Sequence, residues 1–322
     1  MSVRYLARKM ITLAITLYVT VSFNFLLFHV LPGNPVQLLA RSGHFDAAAR
    51  TQLIKLFGLN HSLLVQYFTY LNDMAHGHLG FSYIYREPVT TVLGSAVGNT
   101  VLLVGTATVI TVIVGVWFGV VAAARANSLT DASITVTSLS LWSMPDFFTG
   151  MILIFIFGVW SHVFPVSGIE SPGLTTGTFG HVFDIGRHLI LPALTLTLVN
   201  AAEFSLITRN TLVDVLVEDY IVTARAKGLR RHVIIWRHAV RNALLPVVTA
   251  TALYVGMILG GAIQVETVFS WPGLGLLTYN AVEQRDYPVL EGSFLLFAIA
   301  VIATNFFADL LYQALDARVR ET

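Results

Sequence analysis

The sequence predicts an all-α integral membrane protein with six transmembrane helices and both termini in the cytoplasm. Three observations predict it. Hydrophobic residues fill 55% of the 322 positions and charged residues only 11%, whereas a soluble domain carries about 25% charged residues. So few charges cannot cover a water-facing surface, so lipid must cover much of it. Six stretches approach or exceed the roughly 20 apolar residues that cross a bilayer. Lys and Arg are distributed unevenly between the loops on the two sides.

The spans follow in order. Arg4, Arg8 and Lys9 precede Met10–Leu31, 22 residues without a charge. A signal-peptide core is about 7–15 residues and ends at a small-residue cleavage site. This run ends in Leu31-Pro32-Gly33-Asn34-Pro35, so it reads as a retained first helix. The second span lies inside Pro88–Ala124, which holds no charge. The third runs from about Ala132 to Phe164 and is interrupted by Pro145-Asp146. It is long enough for a kinked span, or for a span plus an interfacial helix. The fourth is about His188–Thr208, the fifth Asn242–Val265 and the sixth about Val289–Leu311.

Lys and Arg favour cytoplasmic loops. With the N-terminus inside, the cytoplasmic segments hold 13 of these residues and the external ones 6. Two loops stand out. The external region from about Pro32 to Thr91 is long enough for short helices, and Asp46–Phe57 places Ala48, Leu53, Ile54 and Phe57 on one side. The cytoplasmic segment from Arg209 to Arg241 holds 7 of the 19 basic residues.

Several chemistries are excluded. A phosphate-binding P-loop needs Gly-Lys-Ser/Thr, and the three lysines follow Arg8, Ile54 and Ala226. ATP, if used, is hydrolysed on another chain. No cysteine is present, which removes disulfides, thiolate metal sites and cysteine nucleophiles. No Ser/His/Asp set, HExxH or histidine cluster stands out, so neither catalytic nor metal-binding residues are assigned. A net charge of +1 argues against nucleic acid as a partner.

The segment Asp219-Tyr220-Ile221-Val222-Thr223-Ala224-Arg225-Ala226-Lys227-Gly228 combines small, helix-favouring alanines with a glycine stop. It reads either as a short helix that slots into a partner's groove or as a juxtamembrane basic loop. Asp146 and Glu203 are acids inside apolar spans, which by default suggests a pathway or a charge pair. Asp146 could instead cap a helix broken at Pro145, and Glu203 could pair with Arg209. Asn24 and His29 suit interhelical hydrogen bonds. Gly115/Gly119 and Gly256/Gly260 have the spacing of close helix packing. Phe269, Trp271 and Pro272 form an aromatic turn that is either structural or a contact at the outer mouth.

Thr223-Ala-Arg-Ala-Lys-Gly-Leu229, continuing to His238-Ala-Val-Arg-Asn-Ala-Leu-Leu-Pro246, resembles the cytoplasmic signature of the dipeptide/oligopeptide ABC-transporter permease family. Phe25-Leu-Leu-Phe-His-Val-Leu-Pro-Gly-Asn-Pro35, Gly77-His-Leu-Gly-Phe-Ser82, Val265-Glu-Thr-Val-Phe-Ser-Trp-Pro-Gly-Leu-Gly275 and Arg285-Asp-Tyr-Pro288 match further family segments in order. The resemblance implies a type I importer in a prokaryotic inner membrane. Its partners would be a second permease, two ATPases carrying ATP and Mg, and an extracytoplasmic substrate-binding protein. This chain would bind no cofactor.

On that resemblance, Tyr220, Thr223, Ala224, Arg225, Ala226, Lys227 and Gly228 lie in or beside the helix that couples to the ATPase. Residues 1–95 would form the first span and external region, and residues 96–322 the core with its coupling segment 209–243. The solute would be a peptide or similar small molecule. Leu206, Glu203, Asp146 and His78 depart from the family pattern, which bears on the solute and not on the fold. A secondary transporter or channel acting without an ATPase is the alternative.

Overall fold

The computed structural model describes residues 3–29, 61–82, 84–173 and 177–315. The amphipathic segment expected at Asp46–Phe57 lies outside the described residues, as do the side-chain surroundings of His29, Gly256 and Gly260. The chain divides into two compact units. One comprises Ser2–Gly98 with Leu277–Ile302, and the other comprises Asn99–Leu276 with Ala303–Thr322.

The first unit opens with α1, Val3–His29. Thr12, Thr16, Thr20 and Ser22 each donate their hydroxyl to the carbonyl four residues earlier, at 2.8–3.0 Å. This hides polar groups that would be costly beside lipid. α2, Leu63–Ala75, packs on α1 through Phe25, which meets the rings of Tyr67 and Tyr70. The interhelical role expected of Asn24 is present, because its amide donates to the Tyr70 hydroxyl and to the Glu291 carbonyl. A small hairpin pairs β1, Phe81–Ser82, with β2, Glu87–Pro88. The Ser82 hydroxyl donates to Asp286. Asp286 stands immediately before the last helix and accepts the Val289 N–H, as an N-cap acid does.

α3, Val89–Ala124, begins in the first unit and continues in the second. The second unit then adds α4, Leu129–Trp142, and α5, Asp146–Leu153, which continues as a π segment to Trp160. The third span is therefore not one straight helix, since α4 and the Asp146–Trp160 segment meet at 102°. Pro145 explains the break. It has no N–H to give, and it disfavours helix at Met144 before it. α6, Thr178–Val215, is 38 residues, about 57 Å at 1.5 Å per residue. It outruns the expected His188–Thr208 at both ends, because nothing stops the helix where the hydropathy falls. Its most apolar stretch is 61% buried within the chain, against 17–33% for the other straight spans.

α3 approaches α6 where side chains are absent. A Cβ on Gly115 would lie 2.5 Å from the Phe204 Cβ, and one on Gly119 would lie 2.6 Å from the Ser205 carbonyl. The packing role expected of this pair is thus present. After α7, Asp219–Ala226, the chain is helical again from Arg231, passes through a π segment at Ile234–Ala239, and becomes α8, Val240–Gly261. α8 covers most of the stretch Asn242–Val265 expected as the fifth span. Two short helices follow, α9, Ile263–Val268, and α10, Leu274–Gln284, and then the last helix, α11, Tyr287–Leu315. Among the described residues, four helices are long and apolar enough to cross a membrane, or five if the bent pair is one span.

Candidate functional site

The cytoplasmic segment folds as α7, only 8 residues long. Asp219 stands in its first turn and Arg225 in its last, each of the sign that complements the helix dipole. It ends in a Schellman turn, in which Gly228 N–H bonds to the Arg225 carbonyl and Leu229 N–H to that of Ala224. Gly228 has φ +73°, and a Cβ there would meet nothing within 4 Å. The glycine is needed for its backbone conformation and not for space.

Ile221 and Ala224 point into the chain. They join Val120 and Ala123 of α3, Leu212 of α6, and Ile234, Ile235, Ala239, Val240 and Ala243 in one apolar core. Ala224 therefore packs on the chain's own core. It stands three residues after the fully buried Ile221, so both share the inner face of the helix. The outer surface is Tyr220, Val222, Thr223, Arg225, Ala226, Lys227 and Gly228, all exposed. The platform is tied to its surroundings. The Asn242 amide donates to the Tyr220 hydroxyl at 2.7 Å, Arg225 to the Leu216 carbonyl, and Arg231 to the Ala124 carbonyl.

Arg209 of α6 forks onto Asp131 of α4, with Nε on Oδ1 at 2.8 Å and Nη2 on Oδ2 at 2.7 Å. Arg209 therefore does not pair with Glu203. Asp131 also accepts the Asn127 N–H, and its own N–H is capped by Ser128 Oγ. Asp131 was missing from the residues singled out in the sequence. Its available signal was Ser128-Leu-Thr-Asp131, a helix-start pattern.

Asp146 is the first residue of α5, as the break at Pro145 implied, and its Oδ1 is buried without a hydrogen-bond partner. Glu203 is half-buried on α6.

The loop carrying Phe269, Trp271 and Pro272 is organised from inside. Phe269 and Trp271 are buried at 1% and 0% exposure, and only Pro272 faces outward. In this conformation the two aromatic rings offer no surface to a partner. Trp271 Nε1 donates to the Asn99 carbonyl at 2.9 Å, and the Asn99 amide donates to the Pro272 carbonyl at 2.8 Å. Glu266, fully buried, accepts from the Thr100 hydroxyl and from the N–H groups of Gly275 and Leu276. Burial holds its carboxyl above the usual carboxylate range, against the pull of those three donors. Cβ atoms on Gly273 or Gly275 would fall 2.4 and 2.9 Å from the Glu266 side chain, so both glycines make room for it.

Comparison with known proteins agrees with this architecture. The family described as binding-protein-dependent transport system inner membrane component matches residues 115–321, and its N-terminal counterpart matches residues 2–104. The chain is 36% identical over 320 residues to the oligopeptide transport system permease protein AppB of Bacillus subtilis, covering 99% of each. It is 38% identical to the dipeptide transport system permease protein DppB of Escherichia coli K12, covering 92% of this chain and 93% of that one. It is 37% identical to the glutathione transport system permease protein GsiC of Escherichia coli O6:H1, covering 98% of each. Among solved structures, the MetNI methionine ABC transporter in inward-facing conformations matches with TM-score 0.57 at 17% identity, over 70% of this chain and 97% of that chain. That likeness shows the fold. The chain belongs to the binding-protein-dependent transport system inner membrane component family, and it is an integral membrane permease subunit with the type I ABC-importer fold.

Proposed function

We propose that this chain forms half of the membrane pathway of an ATP-driven importer for peptides or similar small solutes, in a prokaryotic plasma membrane. A second permease completes the pathway, an extracytoplasmic binding protein delivers the solute, and two ATPase subunits bind and hydrolyse ATP with Mg. The names of the relatives support a peptide solute. In this reading the chain spans the membrane six times with both termini inside. Residues 1–95 form the first span and external region, and residues 96–322 the core with its coupling segment 209–243. Asp146 and Glu203 line the pathway, and Pro272 marks the outer surface nearest the binding protein.

The observation that carries the proposal is the geometry of α7. Ile221 and Ala224 anchor an 8-residue helix on the chain's own core, which leaves Tyr220, Thr223, Arg225, Ala226 and Lys227 presented outward. A helix held on one side and open on the other transmits a push. ATPase closure at α7 would bias the equilibrium between inward-facing and outward-facing states of the spans.

Site-directed cross-linking tests it. The chain has no cysteine, so an introduced thiol is unique. Cysteine at Ala226 should cross-link to the ATPase subunit of the assembled complex, in yields that change with nucleotide. Cysteine at Ile113, exposed midway along α3, should not. Equal yields from both positions would overturn the proposed docking.

A further inference from the structure

α2 belongs to the region between the first two spans, yet it touches α1 within the depth of the membrane. The first apolar span runs Ala7–Phe28. The Tyr67 hydroxyl of α2 lies 2.7 Å from the Ser22 hydroxyl and 3.1 Å from the Tyr18 hydroxyl. Ser22 is a short side chain, and its hydroxyl stays on the α1 backbone, bonded to the Tyr18 carbonyl at 2.8 Å. Ser22 stands six residues before Phe28, so this contact lies about 9 Å inside the end of the span. The last helix gives a second depth. Leu295 of α11 shares an apolar core with Val21, Phe25 and Tyr70. It stands eight residues after Tyr287, where that span begins, or about 12 Å inside it. Half the hydrocarbon core is about 15 Å, so both depths fall within one leaflet.

The open side of α2 is apolar. Tyr67, Tyr70, Leu71 and Met74 form the helical stripe that packs into the core with α1. Leu64, Val65 and Phe68 are 71%, 48% and 65% exposed. Phe68 is three and four residues from the other two, so the three make one patch. Asp73 is the only charged residue in Leu63–Ala75. A helix with one side on protein and the other in water carries polar residues on its open side. This open side instead resembles that of α1, where Ile15, Val19 and Phe23 are 57%, 57% and 63% exposed.

We propose that α2 is an interfacial helix seated in the outer leaflet, and that phospholipid acyl chains cover Leu64, Val65 and Phe68. Interfacial helices bury an apolar face about 5–10 Å into the boundary between headgroups and acyl chains, which matches the depth of the Tyr67 contact. The cluster of Tyr67, Ser22 and Tyr18 hydroxyls serves the same end, since polar groups at that depth have no water to bond. The helix thereby holds the chain that leads into the β1–β2 hairpin at the membrane surface. The depth of α2 is independent of the side it occupies. Its place in the outer leaflet rests on the reading with both termini inside.

Two labels test this in the complete transporter in right-side-out membrane vesicles, each read by peptide mass spectrometry on this chain. A carbene generated from a lipid-dissolved diazirine should insert into Leu64 and Phe68 of the wild-type chain as it does into Ile15 and Val19 of α1. A membrane-impermeant maleimide should react with His78→Cys, at an exposed position beyond α2, and leave Leu64→Cys and Phe68→Cys unmodified. Maleimide reaction at Phe68→Cys at the rate of His78→Cys would put the patch in water and overturn the proposal. Exclusion of both reagents from Leu64 and Phe68 would mean that protein covers the patch, and would overturn the lipid assignment. Reaction of His78→Cys only after the vesicles are opened would overturn the outer leaflet, together with the topology it rests on, and leave the lipid contact standing.

Discussion

Arg209 of α6 grips both carboxylate oxygens of Asp131 of α4, at 2.8 and 2.7 Å, across 78 positions of sequence. The fork ties the first turn of α4 to α6, three residues before Leu212 joins the core on which α7 rests. Asp131 is 6% exposed in its side chain and Arg209 25%. Removing one partner strands the other in a site with little water. Asp131→Asn should cost about 3 kcal/mol, the lower end for a buried pair because Arg209 keeps some solvent. Arg209→Lys should also destabilise, since an ammonium cannot reproduce the fork. Thermal unfolding of the purified complex checks both. Midpoints within a degree of wild type would show the pair to be ornamental.

Ala224 and Ala226 sit two residues apart and face opposite ways. Ala224→Phe should lower the yield of folded protein, because it forces a ring into the core of Ile221, Leu212 and Ile235; overpacking of this kind costs about 1–3 kcal/mol. Ala226→Phe should leave folding unchanged and reduce ATP-driven uptake. The comparison is read by size-exclusion chromatography beside uptake. If both variants fold and transport alike, the two faces have been misassigned.

Gly228 answers a different constraint. At φ +73° any other residue is strained. Gly228→Ala should destabilise the end of α7 by about 1 kcal/mol, and Gly228→Asn by less, since Asn tolerates this region. Faster amide exchange at Leu229 in the alanine variant is the expected sign.

Two buried carboxyls outside the spans give a pH dependence. Burial raises Glu266 and Asp286 above the ordinary carboxylate range, although hydrogen bonds from Thr100 and Ser82 oppose the rise. Folding favours their protonated forms. Their stabilisation is complete below about pH 4, where the unfolded carboxyls titrate, and is lost as the pH rises through the raised values. Glu266→Gln keeps an acceptor for Gly275 and Leu276 and cannot ionise. It should flatten the decline of the thermal midpoint with pH, whereas Glu266→Ala should destabilise at every pH. A steeper decline in Glu266→Gln would reverse the sign argued here.

Much of this was legible in the sequence because hydropathy and helix breakers act locally. The uncharged run after Lys9, the break at Pro145 and the stop at Gly228 all appear where local chemistry placed them. What was not legible depends on partners far away in the chain. Nothing near Arg209 identifies Asp131 as its partner. An alanine does not declare which way it faces, although Ile221 three residues earlier marks the buried stripe. Glu266 lies in a motif whose glycines look like turn residues, yet Gly273 and Gly275 clear space for its carboxylate. Pro145 says only that the helix must stop, and nothing beside it in the sequence gives the 102° angle between the two halves.

The central claim is that this permease moves solute only when an ATPase drives it through α7. Uptake into proteoliposomes measures this directly, with the two permeases reconstituted with or without the ATPase subunits and the binding protein supplied outside. Uptake should require both the ATPase subunits and internal ATP, and it should fall sharply when Ala226→Phe blocks the outer face of α7. Solute accumulation by the permeases alone, at the rate of the complete complex, would contradict the account.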